Sequence, residues 1–196
     1  MTTRDTALPT APPAISTAGR AVLLDLARDG IDAAIAGERL PELDETSLPV
    51  DVRLPAAAFV TLREEGELRG CMGRLDEGRA CWRNVLSAAA NAAVGDPRFA
   101  PVVGAERPDL AIEVSVLGPF VELADPADFV PGLHGIVVER GGRRALLLPQ
   151  VAPENGWGGT EMLSACSWKA GLPQDAWRRP GTRLLVFTAL VFDTPD

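Results

Sequence analysis

Twice in this chain, two short strand-like runs close on each other across a tight turn, and that pattern limits the folds open to it. Residues 57–63 and 67–75 flank Glu64-Glu65-Gly66; residues 134–140 and 143–148 flank Gly141-Gly142. Connections this short force antiparallel pairing, because a parallel crossover needs a dozen or more residues. Leu110–Leu117 supplies another strand by strict alternation. Leu110, Ile112, Val114 and Val116 share one side, and Ala111, Glu113, Ser115 and Leu117 share the other. Residues 184–192 read as a last strand.

Helical spacing separates these runs. Ser16 or Thr17 caps a helix to about Ala36, with Leu23, Ala27, Ile31 and Ala34 or Ile35 as its apolar stripe and Gly37 as its stop. Gly30 weakens this helix and lets a neighbour pack closely. From about Arg79 to Val94, Trp82, Val85 or Leu86, Ala89 and Ala92 or Ala93 recur at helical intervals, and Asp96-Pro97 ends the run. Its many alanines predict tight packing on a sheet. Thr160 caps a short helix over 161–170, closed by Gly171. Residues 38–56, with three prolines, and 149–159 read as loops, and residues 125–128 as a single helical turn. Hairpins with helices between them predict an α+β fold with a largely antiparallel or mixed sheet.

Residues 1–14 hold Thr, Ala and Pro with little to bury, and are expected to be a disordered tail before a domain over 15–193. The 196 residues carry a net charge of −8, which demotes nucleic acid as a main partner while leaving room for a local basic patch. No apolar run approaches the roughly 18–20 residues of a membrane span, and the N-terminus lacks the pattern of a signal peptide, so the expected setting is cytoplasmic. Three widely spaced cysteines, Cys71, Cys81 and Cys166, fit reduced thiols better than disulfides. One histidine and no CxxC argue against a zinc site, and no bound cofactor is expected.

The chemistry-bearing stretch is Leu68-Arg69-Gly70-Cys71-Met72-Gly73. Glycine on both sides leaves room around the Cys71 sulfur, and Arg69, two residues earlier in a strand, falls on the same face. There Arg69 can favour thiolate or hold an anion. Cys71 reads either as a nucleophile or as a packed thiol; Cys81 and Cys166, on helices beside apolar positions, read as packed. His134, the sole histidine, is either a proton carrier or a hydrogen-bonded structural residue. Glu113 can orient it, act as a carboxylate base, or stand solvated. Ser115 shares the Glu113 face, and Gln150 and Lys169 carry groups suited to ligand contacts or to local structure. Arg98, in Asp96-Pro97-Arg98-Phe99, reads as a structural lock on the turn.

The hexapeptide is followed, in order, by Asp96-Pro97-Arg98-Phe99, Glu113-Val114-Ser115-Val116-Leu117, Gly132-Leu133-His134-Gly135, Leu148-Pro149-Gln150-Val151-Ala152 and Lys169-Ala170-Gly171-Leu172. Together these segments resemble the AMMECR1 domain family over roughly residues 15–193, with Met72 where that family commonly has Ile. The bacterial and archaeal members resemble protein A of the AmmeMemoRadiSam system. The resemblance implies larger and smaller subdomains, with the Arg-Gly-Cys segment near the cleft between them. It also implies association with a Memo-like protein and a radical-SAM protein, and it brings no reaction with it. The expected function is a cleft protein in which Cys71 attacks or carries a substrate, His134 moves protons and Glu113 orients it. Arg69, Gly70, Gly73, Ser115, Gln150 and Lys169 would line the substrate site. The alternative is a non-catalytic interaction module for those partners.

Overall fold

The computed structural model describes residues 7–193, and the chain divides into two compact units that exchange terminal segments. The larger unit takes Ala14–Leu117 and the chain from Leu190 onward; the smaller takes Gly118–Ala189 and the chain up to Pro13.

In chain order, the larger unit begins with α1 (Thr17–Ala36). The Ser16 hydroxyl accepts the Gly19 N–H at 3.0 Å, and Gly37 ends the helix in the left-handed region. Residues 38–56, read as loop, contain a 3-10 turn (Glu45–Ser47) and a one-turn helix, α2 (Val50–Arg53), which buries Val52. β1 (Ala58–Glu64) and β2 (Glu67–Arg74) form the first hairpin. Its connection is two residues, not three. Glu65 and Gly66 both have positive φ, 50° and 84°, and this left-handed pair matches the natural twist of a hairpin. α3 (Cys81–Val94) and β3 (Leu110–Leu117) follow.

α1 and α3 pack on one face of the sheet ordered β2-β1-β3-β8. Val60, Leu62, Ile112 and Val114 point into that core. Two glycines set how closely the layers approach. A Cβ on Gly30 would sit 2.5 Å from the Leu86 carbonyl oxygen, and one on Gly70 only 2.2 Å from that of Ala92. The alanine run of α3 serves the same purpose, with Ala88, Ala89, Ala92 and Ala93 all buried.

The smaller unit holds β4 (Val121–Glu122), β5 (Gly135–Arg140), β6 (Arg143–Leu147), α4 (Val151–Asn155), α5 (Gly159–Lys169) and β7 (Arg183–Phe187). Its sheet runs β4-β7-β5-β6 with antiparallel pairing, and α5 packs across β5 and β6. β4 and α4 were not read from the sequence: one is two residues long, the other lies in a Pro- and Gly-rich stretch. α5 starts at Gly159 with no side-chain cap, so Thr160 lies inside the helix rather than before it.

The run read as one last strand is two. β7 ends at Phe187 in the smaller unit's sheet, and β8 (Ala189–Asp193) joins the larger unit's sheet. Thr188 marks the break. Its hydroxyl donates to the Ala11 carbonyl at 2.8 Å, and its own carbonyl accepts the Gly118 N–H at 2.8 Å. The N-terminal reading also needs correction within the described residues. Residues 1–6 lie outside them, but residues 7–13 are held: Leu8 packs on the smaller unit's core, and the Pro9 and Ala11 carbonyls accept side-chain hydrogen bonds. No helix of the described residues is long and apolar enough to cross a membrane.

Candidate functional site

β1 lies between β2 and β3, and its register decides which side chains become neighbours. Thr61 stands opposite Cys71 on β2 and Glu113 on β3; Phe59 stands opposite Gly73 and Ser115. Because Gly70 faces α3, Cys71 and Gly73 face the other way. Two adjacent rows, Cys71-Thr61-Glu113 and Gly73-Phe59-Ser115, thus share the sheet face turned away from the helices. The structure brings four sequence-predicted site residues together here.

Cys71 is half-buried, and the Thr61 hydroxyl donates to its sulfur at 3.4 Å. Its backbone N–H, on the edge strand, donates to Asp96 Oδ2 at 2.9 Å. Asp96 is buried and accepts from Arg98 three times: from the backbone N–H, from Nε at 3.0 Å and from Nη2 at 2.7 Å. These bonds, the Arg98 guanidinium foremost, hold the Asp96 carboxyl well below its ordinary value of 3.8 against the opposing effect of burial. Arg98 is raised in turn, chiefly by Asp96 and to a lesser degree by the Cys71 sulfur. The turn after α3 therefore locks the edge of β2 and brings a cation, itself paired with Asp96, near Cys71.

That cation is not the one expected. The strand pairing passes from Leu62 opposite Gly70 to Arg63 opposite Leu68, which leaves Arg69 unpaired in a β-bulge. The bulge adds a residue and breaks the alternation that would align Arg69 with Cys71. All three guanidinium nitrogens of Arg69 have partners: Glu106 Oε1 at 2.7 Å, Glu106 Oε2 at 3.2 Å and the Ala100 carbonyl at 2.9 Å. The pair raises Arg69 and lowers Glu106. Arg69 ties the 100–106 segment to β2 rather than standing open to an anion.

The room ascribed to the glycines is also filled. The α3 backbone occupies the Gly70 side, and a Cβ on Gly73 would fall 2.3 Å from the Phe59 ring. Ser115 is 1% exposed, and its hydroxyl has no hydrogen-bond partner among the described residues. Glu113 is half-buried. Cys81 and Cys166 are fully buried, and burial pushes both thiols up to about 12.

The remaining predicted residues belong to the smaller unit. His134 is buried, and both ring nitrogens are occupied. Nδ1 accepts the Val130 N–H at 3.2 Å, so Nε2 carries the proton and donates to the Pro9 carbonyl at 3.0 Å. The one lone pair of a neutral imidazole is thereby taken, which leaves none to accept a substrate proton. Lys169 Nζ donates to the Leu146 carbonyl at 2.9 Å, sealing the edge of β6. Gln150 stands at the start of α4 with its Oε1 buried and unpartnered among the described residues.

Sequence reasoning passed over Thr61 and Phe59 and gave Arg98 only a structural role. Alternation along Phe59-Val60-Thr61-Leu62 carries the signal for the first two, but it becomes readable only once the register of β1 is known.

A family model described as AMMECR1 matches residues 24–192. A Methanothermobacter thermautotrophicus protein is 42% identical, over 87% of this chain and 91% of its own length. A Methanopyrus kandleri protein is 40% identical, over 89% and 87%. The crystal structure of uncharacterized protein PH0010 from Pyrococcus horikoshii superposes with a TM-score of 0.81 at 35% identity, covering 87% of this chain and 89% of that one. The chain belongs to the AMMECR1 family, and its α+β fold is the one that this relative adopts.

Proposed function

We propose that this AMMECR1-family protein performs thiol chemistry at Cys71, on the face of the larger unit's sheet turned away from the helices. The Cys71 thiolate attacks an electrophilic carbon. A C–S bond forms as the bond to the leaving group breaks, the leaving group departs with the electron pair, and the thiol proton goes to solvent. The Thr61 hydroxyl donates to the sulfur, and the Arg98–Asp96 ion pair is tied to the Cys71 backbone N–H. Glu113, half-buried on the same face, is proposed to contact the substrate. The observation that carries this reading is the contrast among the three thiols: only Cys71 is both partly exposed and hydrogen-bonded by a hydroxyl, while Cys81 and Cys166 are buried. A cytoplasmic setting fits three free thiols. The Memo-like and radical-SAM proteins of an AmmeMemoRadiSam-type system are the proposed context and source of substrate.

One observation favours the non-catalytic alternative. Gly70 and Gly73 are both explained by packing, which suits a rigid edge presented to a partner. Alkylation of the native protein with iodoacetamide, resolved by mass spectrometry, decides between the two. Thiol chemistry expects Cys71 to label well ahead of Cys81 and Cys166, and expects Thr61→Val and Arg98→Gln to slow it while Arg69→Ala leaves it nearly unchanged. Labelling of Cys71 only on unfolding would leave the interaction module standing.

A further inference from the structure

Each sheet ends in two edge strands: β2 and β8 in the larger unit, β4 and β6 in the smaller. An edge strand leaves the N–H and C=O groups of alternate residues without a neighbouring strand, and proteins block such rows with short strands, charges or covering segments. Three of these edges are blocked. β4 is two residues long. Lys169 Nζ donates to the Leu146 carbonyl of β6 at 2.9 Å. On β2, Asp96 takes the Cys71 N–H, and Arg69 holds the Ala100 carbonyl beside the strand.

β8 carries none of these devices. Its five residues, Ala189-Leu190-Val191-Phe192-Asp193, include no Lys and no Pro, and their one charge stands at the end. No backbone hydrogen bond joins β8 to a loop or turn among the described residues. Leu190 and Phe192 are partly buried against the core that α1 and α3 cover, with the Arg20 guanidinium 5.9 Å over the Phe192 ring. Val191 faces the other way and is 39% exposed. A strand that is apolar, β-branched or aromatic at its centre and bare along one side is a template for pairing with another chain.

From this we infer that β8 is the contact through which two copies of this chain join their sheets, antiparallel and about a twofold axis at Val191. The strand complements itself in that register. Val191 meets the partner's Val191, Leu190 meets the partner's Phe192, and Ala189 meets the partner's Asp193. Apolar side chains thus lie beside apolar ones at the central positions, and such cross-strand pairs are stabilising. No carboxylates stand opposite each other, whereas a parallel alignment would set Asp193 against the partner's Asp193. The twofold also closes the assembly: once β8 is paired only blocked edges remain, so growth stops at two copies. Five residues a side make a small interface, below the roughly 1,200 Å² of stable complexes, so the dimer is weak and forms with rising concentration. Each copy has a net charge of −8, so salt, by screening the repulsion between them, strengthens the association. Cys71 lies on β2, at the other edge of the sheet, so this contact is independent of the thiol reading.

Sedimentation equilibrium of the full chain over roughly 10 μM to 1 mM tests this. The mass is expected to rise from one chain to two and stop there, with tighter association at higher salt. Val191→Lys, at an exposed position, sets two ammonium groups face to face and should weaken the dimer about five- to tenfold. Val191→Thr should keep it, and Val103→Lys, at an exposed site on the segment beside β2, should leave it unchanged. Hydrogen exchange on the wild type gives a readout free of any substitution: the amides of 189–193 should slow as concentration rises. A mass of one chain at every concentration overturns the assignment. So does an association that salt dissolves, a dimer unmoved by Val191→Lys, growth beyond two copies, or exchange at 189–193 that ignores concentration.

Discussion

Asp96 gathers the backbone of one strand and the side chain and backbone of Arg98 onto two oxygens, so its charge matters more than its size. Its folded value lies below its unfolded one. The stability it contributes is therefore complete above the unfolded value near 3.8 and is lost as pH falls through the lower, folded one. Urea titrations of wild type and Asp96→Asn should differ by about 1.5–3 kcal/mol at neutral pH and converge in acid. A constant gap down to low pH would show that the carboxylate charge is not the source. Gly70 is the second residue whose chemistry is set by a neighbour. Gly70→Ala puts a Cβ against an α3 carbonyl that cannot swing away, and should cost about 1–3 kcal/mol by the same measurement. Unchanged stability would mean that α3 shifts freely over β2.

Among the elements, β3 has the most readable faces. Leu110, Ile112, Val114 and Val116 enter the core as their alternation requires. Ile112→Ala should cost about 2–5 kcal/mol in denaturant melts. Ser115 is as buried as Ile112, but its hydroxyl makes no hydrogen bond among the described residues, so Ser115→Ala should be near neutral or mildly stabilising. A loss comparable to that of Ile112→Ala would show that Ser115 holds a partner. β2 behaves differently because the bulge at Arg69 resets its faces midway. That insertion leaves Arg69 out of the pairing, where it bonds Glu106, while Asp96 ties Arg98 to the Cys71 backbone.

For the whole molecule, the two units are each closed by segments far apart in sequence. The N-terminal segment belongs to the smaller unit through Leu8, through Pro9 on His134 and through Ala11 on Thr188. Deleting residues 1–13 removes two hydrogen bonds to buried side chains. It should cost about 1–3 kcal/mol, several degrees in Tm for a chain of this size. A truncated protein that melts with the full chain would return these residues to the role of a tail.

Local chemistry made much of the fold legible. Ser16 and Gly37 bound α1, Gly141-Gly142 closes a hairpin, and alternation defines β3, because caps, turn angles and strand faces depend on residues only a few positions apart. The likeness to the AMMECR1 family was likewise visible along the chain. The site was legible only as a list of residues. Which of them meet depends on β1 lying between β2 and β3 in one register, on a bulge that no residue type announces, and on a break at Thr188 that sends one apolar run into two sheets. Cross-strand neighbours and buried polar partners are fixed by packing between distant segments, and a one-residue change of register moves every side chain to the opposite face. The tertiary structure alone therefore decided that Cys71 has Thr61 and Arg98 for company, and that Arg69 and His134 are held elsewhere.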